Sequence, residues 1–381
     1  MPEGSRPAGK DLKVAIVHDW LVGGGAERVV YELHRMFPEA PIYTSYCTPE
    51  WRQRLDGKVV TGWLQHFGRL RKFMALGRIW WFTHLDFSDY DLVISSSGNG
   101  EAFGVRTGKN TMHICYCHTP THYYWRHYDQ YLAQPGFGIL DPLARFGLQL
   151  LVGPLRKWDL RASKRPDYYI ANSNHIKNDI KKYYGRDAEV IHPPVDIARF
   201  KDGFQGTREG FVAMGRLAPA KRMDIIVQAC TELGVPLKII GDGPDYERLQ
   251  KLAGPTVQFF NKATGNRVSD QAMPTFLAGA EAFLFASFDD FGISPVEALA
   301  AGTPVIAYKA GGALDYVIPG KTGEFYEKQT VESLVEALQK CKPKSYNHEE
   351  IQAFAQQFSP ETFRKKIQVL ITRVLAKKQN S

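Results

Sequence analysis

Short apolar runs, broken by glycine turns and by stretches of helical spacing, recur along the whole chain. Residues 14–17, Val-Ala-Ile-Val, are four apolar positions without polar alternation and predict a strand buried on both faces. The run leads through His18-Asp19-Trp20-Leu21-Val22 into Gly23-Gly24-Gly25, and residues 27–36 then carry apolar side chains at helical spacing. Strand, glycine loop and helix follow in that order. Similar runs at 92–95, 112–117, 168–171 and 189–191 predict a doubly wound sheet. At His192-Pro193-Pro194-Val195-Asp196 two prolines forbid helix and bias the backbone before them to extended, which marks a linker. Beyond it the alternation restarts, with strands at 211–214, 237–240, 257–260, 282–285 and 304–307 between helices at 222–233, 246–253, 272–278 and 295–301. Helical patterns at 331–339, 349–358 and 361–375 close the chain.

The fold class predicted is α/β, with two Rossmann-like doubly wound domains at residues 1–195 and 196–358. Residues 359–381 are expected to form a terminal helix that packs back on the first domain. Open α/β sheets bind ligands at the carboxyl ends of their strands, so the expected site is a central cleft faced by both domains. The length agrees with two domains, since 381 residues exceed what a single core usually supports.

Composition narrows the classes. The chain is 44% hydrophobic and 23% charged, as in folded globular proteins. Its most apolar long stretch, residues 137–155, contains Asp141, Pro142, Arg145 and Pro154, and so does not read as a membrane-spanning helix. With no apolar leader in evidence at the N-terminus, a cytoplasmic location is expected. Five scattered cysteines read as reduced thiols; Cys115, Cys117 and His118 invite a zinc reading, but no second ligand pair stands at zinc spacing. No metal or other cofactor and no nucleic-acid partner is expected. Of the net charge of +8, most lies in residues 1–195, with 25 Lys and Arg against 19 Asp and Glu. Such an excess suits an anionic membrane surface, an acidic substrate or a solvated basic face.

Two segments carry candidate chemistry. In residues 211–224 a strand runs into Gly215-Arg216, and Lys221 follows five residues later at a helix start. A diphosphate needs backbone donors, a helix N-terminus and cations, and this stretch offers all three; a basic surface loop is the bland alternative. Downstream, Asp289 and Glu297 bracket the turn Phe291-Gly292-Ile293-Ser294 into a helix. The turn presents amides to phosphate or sugar hydroxyls, one carboxylate can accept from sugar hydroxyls, and Glu297 can accept from ribose hydroxyls.

Arg216 with Lys221, the Asp289-x7-Glu297 pair, the following Ala-x-Gly-x-Pro-Val-Ile and the linker His-Pro-Pro-Val-Asp together resemble glycosyltransferase family 4, over residues 12–375. The resemblance implies the GT-B fold, a nucleotide diphosphate-sugar donor and a retaining transfer without metal. It implies that Arg216 and Lys221 neutralise the departing diphosphate, and that the N-terminal domain binds the acceptor. The family has Glu where this chain has Asp289, a shorter carboxylate. Gly23-Gly24-Gly25-Ala26-Glu27 matches the family's glycine loop, which places Gly24 and Gly25 against the donor; a dinucleotide reading is weakened because Val29 stands at the third glycine and residues 41–46 offer no acid for a ribose. His118, at the end of a strand, resembles the family's active-site histidine that touches the donor sugar, or else is a satisfied structural group. His122 stands where the suspected subgroup has Arg. The donor's base is expected near Asn266, Arg267 and Val268, after an insertion at 261–265.

Residues 117–120, 290–293 and 310–312 further resemble bacterial GDP-mannose-dependent mannosyltransferases of surface-polysaccharide assembly. The acceptor implied is a saccharide or lipid-linked saccharide, met at the inner face of the plasma membrane. Residues 66–81 place Phe67, Leu70, Met74 and Trp81 on one helical side with Arg69, Arg71, Lys72 and Arg78 beside them, which reads either as a peripheral membrane helix or as a core helix with a basic edge. A UDP-sugar-dependent transferase, a sugar-nucleotide epimerase on the same architecture and a non-catalytic sugar-nucleotide binder remain as alternatives.

Overall fold

The computed structural model describes residues 12–379 apart from 127, 134–137, 139–140, 201–203 and 205; at 69–73, 130, 344 and 379 it describes the backbone only. The chain divides into two compact units, one of residues 1–172, 176–190 and 367–381, the other of residues 173–175 and 191–366.

In the first unit, seven strands form one parallel sheet: β1 (Val14–His18), β2 (Ile42–Thr44), β3 (Val59–Thr61), β4 (Leu92–Ser97), β5 (Met112–Cys117), β6 (Tyr168–Ala171) and β7 (Ala188–Val190). Their order is β3-β2-β1-β4-β5-β6-β7. β1, β4 and β5 are buried at every position, which is why their apolar runs show no alternation. The helices are α1 (Ala26–Met36), α2 (Pro49–Arg54), α3 (Ala75–His84), α4 (Tyr128–Ala133), α5 (Asp141–Ala162) and α6 (Asn174–Tyr184).

The second unit repeats the plan with β8 (Phe211–Met214), β9 (Leu237–Ile240), β10 (Val257–Phe260), β11 (Ala282–Phe285), β12 (Val305–Tyr308) and β13 (Gly323–Tyr326), in the parallel order β10-β9-β8-β11-β12-β13. Around them lie α7 (Met223–Leu233), α8 (Tyr246–Leu252), α9 (Met273–Ala278), α10 (Ile293–Ala300), α11 (Val331–Lys340) and α12 (His348–Ala355). Two apolar clusters flank this sheet, one including Val212, Phe283 and Val305, the other Ala213, Ile239 and Leu284. In both sheets the order reverses between the first and fourth strands of the unit, the switch point at which open α/β sheets bind ligands. The last helix, α13 (Pro360–Gln379), ends in the first unit, where Arg373 pairs with Glu189 and Lys378 Nζ donates to the Thr111 carbonyl at 2.6 Å.

The segment expected as one helix over 66–81 is two pieces. A 3-10 stretch (Trp63–Phe73) is broken at Gly68, with φ 49° and ψ −122°, and α3 begins only at Ala75.

Candidate functional site

β8 of the second unit runs out into Gly215-Arg216-Leu217, and the turn after β9 fixes that loop. Gly215 N–H donates to the Ile240 carbonyl at 3.0 Å, Leu217 N–H donates to the Asp242 carbonyl at 2.9 Å, and Asp245 N–H donates to the Leu217 carbonyl at 3.0 Å. A Cβ on Gly243 would lie 2.0 Å from the Leu217 oxygen, so the approach needs glycine. Arg216, carried on this fixed backbone, is exposed. Lys221 closes a short 3-10 turn (Pro219–Lys221), and Arg222 turns the chain into α7 through the left-handed region at φ 48°, ψ 37°. Arg222 is held there by Asp224 at 3.2 Å and by the Gln329 amide oxygen at 3.2 Å.

Lys221 Nζ lies 2.5 Å from Asp289 Oδ2. Asp289 opens the turn into α10, and a second backbone clamps that turn: Gly312 N–H donates to the Asp289 carbonyl at 2.9 Å, and a Cβ on Gly311 would lie 2.3 Å from the same oxygen. Among the described residues no side chain caps the N-terminus of α7 or of α10. Gly215, Lys221, Met223, Asp289, Gly292 and Ser294 line one small pocket. An ammonium group, the carboxylate paired with it and two uncapped helix starts therefore surround a single concavity, where the helix starts favour an anionic ligand. A larger groove of this unit, about 670 Å³, lies elsewhere beside Arg208, Tyr346 and His348 and includes none of these residues.

The other sequence candidates separate by position. Ile293 and Ser294 are half-buried in the first turn of α10, and Glu297 is buried further along it. Phe291 has its ring 4% exposed, stacked on His192 at 5.5 Å and packed on Tyr316 and Phe358, so its backbone is the part left to the turn. Arg267 is exposed, 4.0 Å from Asp242, and Val268 packs against the core. Residues 261–265 form a tight turn in which Thr264 N–H donates to Asn261 Oδ1 at 2.9 Å and Lys262 N–H donates to Asp242 Oδ1 at 2.8 Å. Asp242 thus joins the Arg216 loop to the segment carrying Arg267.

In the first unit the strand ends carry a buried polar network. Ser96 Oγ lies 2.8 Å from His118 Nε2 and 3.1 Å from His18 Nδ1, which also sits 2.8 Å from the Ser96 carbonyl. Burial, with His18 nearby, pushes the His118 imidazole down to about 3, so it is neutral at pH 7. Asp19 accepts backbone N–H bonds from Gly98 at 2.7 Å, Asn99 at 2.8 Å and Ala102 at 2.8 Å. Gly24 and Gly25 are exposed, and buried Glu27 holds their loop by accepting the N–H groups of Gly23 at 2.9 Å and Val22 at 3.2 Å. His122 is half-buried with Nε2 3.2 Å from the Tyr131 hydroxyl. Among the described residues no three His, Cys, Asp or Glu side chains group as metal ligands, and Cys115 and Cys117 are buried in the core.

Arg78 overturns its expected place on a basic surface edge. It is 4% exposed, and it donates to Glu101 Oε1 at 3.0 and 3.1 Å while lying over the Trp20 ring. Burial raises the Glu101 carboxyl to about 7, with Arg78 and the Tyr123 hydroxyl pulling it back only in part. Trp81 is likewise core, whereas Phe67 and Trp80 are exposed. The side chains of Arg69, Leu70, Arg71 and Lys72 lie outside the described residues. Sequence reasoning missed Asp19, Ser96, Glu101 and the 241–243 turn; Gly241-Asp242-Gly243 directly after a strand is the one local signal that could have found the last.

Comparisons with known proteins give the same picture. The model described as "Glycosyltransferase Family 4" matches residues 23–199 and that described as "Glycosyl transferases group 1" matches residues 195–358. A "GDP-mannose-dependent alpha-(1-6)-phosphatidylinositol monomannoside mannosyltransferase" of Mycolicibacterium smegmatis is 30% identical over 40% of this chain and 44% of its own length. The "Alpha-1,3/1,6-mannosyltransferase alg2" of Schizosaccharomyces pombe is 23% identical over 82% of this chain and 70% of its own. The match thus spans under half of the first relative and a little over two thirds of the second. Among solved structures, HepE of Anabaena in complex with UDP has a TM-score of 0.67 at 17% identity, covering 95% of this chain and all of that one. Sucrose-phosphate synthase of Thermosynechococcus elongatus has a TM-score of 0.66 at 15% identity, covering 96% of this chain and all of that one. The transferase names carried by these relatives disfavour the epimerase alternative. With two adjoining family models, two Rossmann-like sheets and GT-B neighbours along nearly its whole length, the chain belongs to glycosyltransferase family 4 and has the GT-B fold.

Proposed function

We propose that this chain transfers mannose from GDP-mannose, with retention, to a saccharide or lipid-linked saccharide acceptor in cell-surface polysaccharide assembly. The observation that carries the reading is Lys221 at 2.5 Å from Asp289, in a pocket entered by two uncapped helix starts. In this reading the donor diphosphate takes the anion site and Asp289 holds the ammonium in place. The bond from the sugar's anomeric carbon to phosphate breaks and a bond from that carbon to the acceptor oxygen forms. The departing phosphate oxygen accepts the acceptor's proton on the same face. Lys221, Arg216 and the helix starts supply the positive charge that meets the leaving group, so turnover should continue in the presence of a chelator.

Arg267 and Val268 flank the base, Glu297 accepts from the ribose, and Gly24 and Gly25 form the glycine loop of the acceptor-binding domain. Neutral His118 offers a sugar hydroxyl a hydrogen-bonding group that carries no charge of its own. The donor assignment is supported by relatives named for GDP-mannose in Mycolicibacterium smegmatis and Mycobacterium tuberculosis. Melting curves with GDP-mannose, GDP and UDP-glucose test it: ligand at a hundred times its Kd adds about 2.7 kcal/mol of stability, a shift of a few degrees. GDP-mannose should stabilise most and should label an acceptor in a transfer assay. Stabilisation by UDP-glucose alone overturns the donor, and a changed sugar nucleotide formed without acceptor overturns the transfer.

A further inference from the structure

The second unit carries concavities at both ends of its sheet. The pocket of Lys221 and Asp289 lies where β8 and β11 end, whereas the groove of about 670 Å³ lies where strands begin: Arg208 stands shortly before β8 and Glu281 directly before β11. Tyr346, His348 and Gln352, from α12 and the segment before it, form the facing wall.

Most polar side chains of that wall are already used. The Tyr346 hydroxyl donates to Glu324 Oε1 at 2.9 Å, the Gln352 amide donates to the Phe200 carbonyl at 3.1 Å, and Asn347 caps α12. Arg208 and His348 differ. Arg208 donates through Nη1 to the Thr303 hydroxyl at 2.8 Å and the Ala280 carbonyl at 3.4 Å, and through Nη2 to the Ala301 carbonyl at 3.3 Å. Among the described residues it meets no carboxylate, and the Nε hydrogen and one Nη2 hydrogen are left over. Burial without a counter-ion pulls this guanidinium down to about 10. His348 Nδ1 lies 2.8 Å from the Gly302 carbonyl, so Nδ1 carries a proton and Nε2 has no protein partner among the described residues. Burial lowers the His348 imidazole, the Gly302 bond offsets part of this, and Arg208 repels its second proton, which marks the two basic groups as neighbours. Half-buried Glu281 and exposed Glu349 stand on the same groove, yet among the described residues neither pairs with Arg208 or His348; the charge of Glu281 acts on the Cys341 thiol.

We propose that this groove is a second ligand site, which takes a small phosphate monoester with its phosphate on Arg208 and His348. A half-buried cation without a counter-ion has donors to spare, and a guanidinium edge offers two of them to two phosphate oxygens. His348 Nε2, once protonated, donates to the third oxygen and matches the second negative charge. A carboxylate has two oxygens and one charge, so it would satisfy Arg208 and leave His348 unmatched. The groove has the volume of a small-molecule pocket, larger than a bare phosphate needs, and Thr207, Asn347 and Gln352 on its walls suit a hydroxyl-bearing body.

The site is separate from the donor pocket and its occupancy is measured without turnover, so it can fail independently of the transfer reading. Mannose 6-phosphate, inorganic phosphate and succinate would be titrated by calorimetry into wild type and into Lys221→Ala, which removes the cation of the donor pocket. Mannose 6-phosphate should bind both chains alike, and more tightly than the other two probes. Arg208→Gln should weaken it at least about tenfold, as for a lost hydrogen bond to a charged group. His348→Gln, whose amide can still donate to the Gly302 carbonyl, should cost roughly fivefold, and its gap from wild type should widen as pH falls from about 8 to 6.5. Glu281→Gln should strengthen binding roughly twofold by removing a like charge. If Arg208→Gln lowers the melting temperature, the His348 and Glu281 variants decide. Equal affinity in wild type, His348→Gln and Glu281→Gln overturns the site, as does the absence of mannose 6-phosphate binding at millimolar concentration. Loss of binding in Lys221→Ala moves the ligand to the donor pocket, and tighter binding of succinate overturns the phosphate.

Discussion

The same sheet plan occurs twice in this chain, but the charges at the strand ends are treated in opposite ways. In the first unit Asp19, Arg78, Glu101 and Asp159 are all at most 4% exposed, and each is bonded to neighbours of the unit. In the second, Lys221 and Asp289 keep 33% and 22% of their side chains exposed, and Arg216 and Arg267 stand in solvent. A buried group held by fixed partners orders the backbone around it and is not free to recruit a ligand. A half-exposed cation keeps its field available to an incoming anion. The first unit thus builds rigid polar walls, and the second displays usable charge.

The difference can be broken most severely at Arg78. Arg78→Ala leaves Glu101 buried without its cation and should cost about 3–5 kcal/mol of unfolding free energy in denaturant titration. A loss below about 1 kcal/mol, as for a surface pair, would dissolve the contrast. Lys221→Ala should do the reverse: the melting temperature stays close to wild type, while turnover falls at least about a hundredfold, and Arg216→Ala should behave alike. Near-wild-type turnover in both variants removes them from the chemistry.

Acidification should act mainly on the first unit. His113 and His118 are both pushed by burial down to about 3, from an ordinary value of 6.5. Both are neutral when folded and take up protons on unfolding, so the stability they confer is complete above about 6.5 and is lost as pH falls toward 3. His118→Asn should flatten the fall in unfolding free energy between those limits, and an unchanged slope would show that His118 titrates normally. The smallest effect is expected at Glu297. Glu297→Gln should weaken donor binding about tenfold with turnover at saturation nearly kept, because a ribose contact is made equally in ground and transition states. Unchanged donor affinity in calorimetry would make Glu297 structural.

Sequence legibility followed burial in part. β5, β6, β8, β9, β10 and β11 were readable to the residue: β5 and β11 are buried at every position and leave unbroken apolar runs, whereas β10, an edge strand with Gln258 exposed, was legible from the helical patterns on either side. β2, β3 and β13 were missed: each is three or four residues long, and β3 and β13 are edge strands with partly exposed side chains. In the site, Gly215, Lys221, Asp289, Gly292 and Ser294 were legible because a glycine after a strand and a charge at a helix start are local signals. The direction of the Phe291 ring was not legible, because it depends on His192 and Phe358, far along the chain. The Arg78–Glu101 pair was invisible for the same reason: 23 residues separate partners that only folding brings together. Beside Trp80 and Trp81, Arg78 gave every local sign of a surface cation.

The clamp of Gly311 and Gly312 on the Asp289 turn has a consequence for redesign. Where two backbones touch with no side chain between them, neither can drift as its neighbours mutate, so the path from Asp289 to Gly292 is held whatever stands at 293 and 294. If the proposed donor site is right, side chains can be exchanged there on an unchanging template to vary donor preference. Libraries at Ile293, Ser294 and the 266–268 segment should return folded proteins of altered selectivity, while any library that opens 311 or 312 to other residues should return mostly unfolded ones.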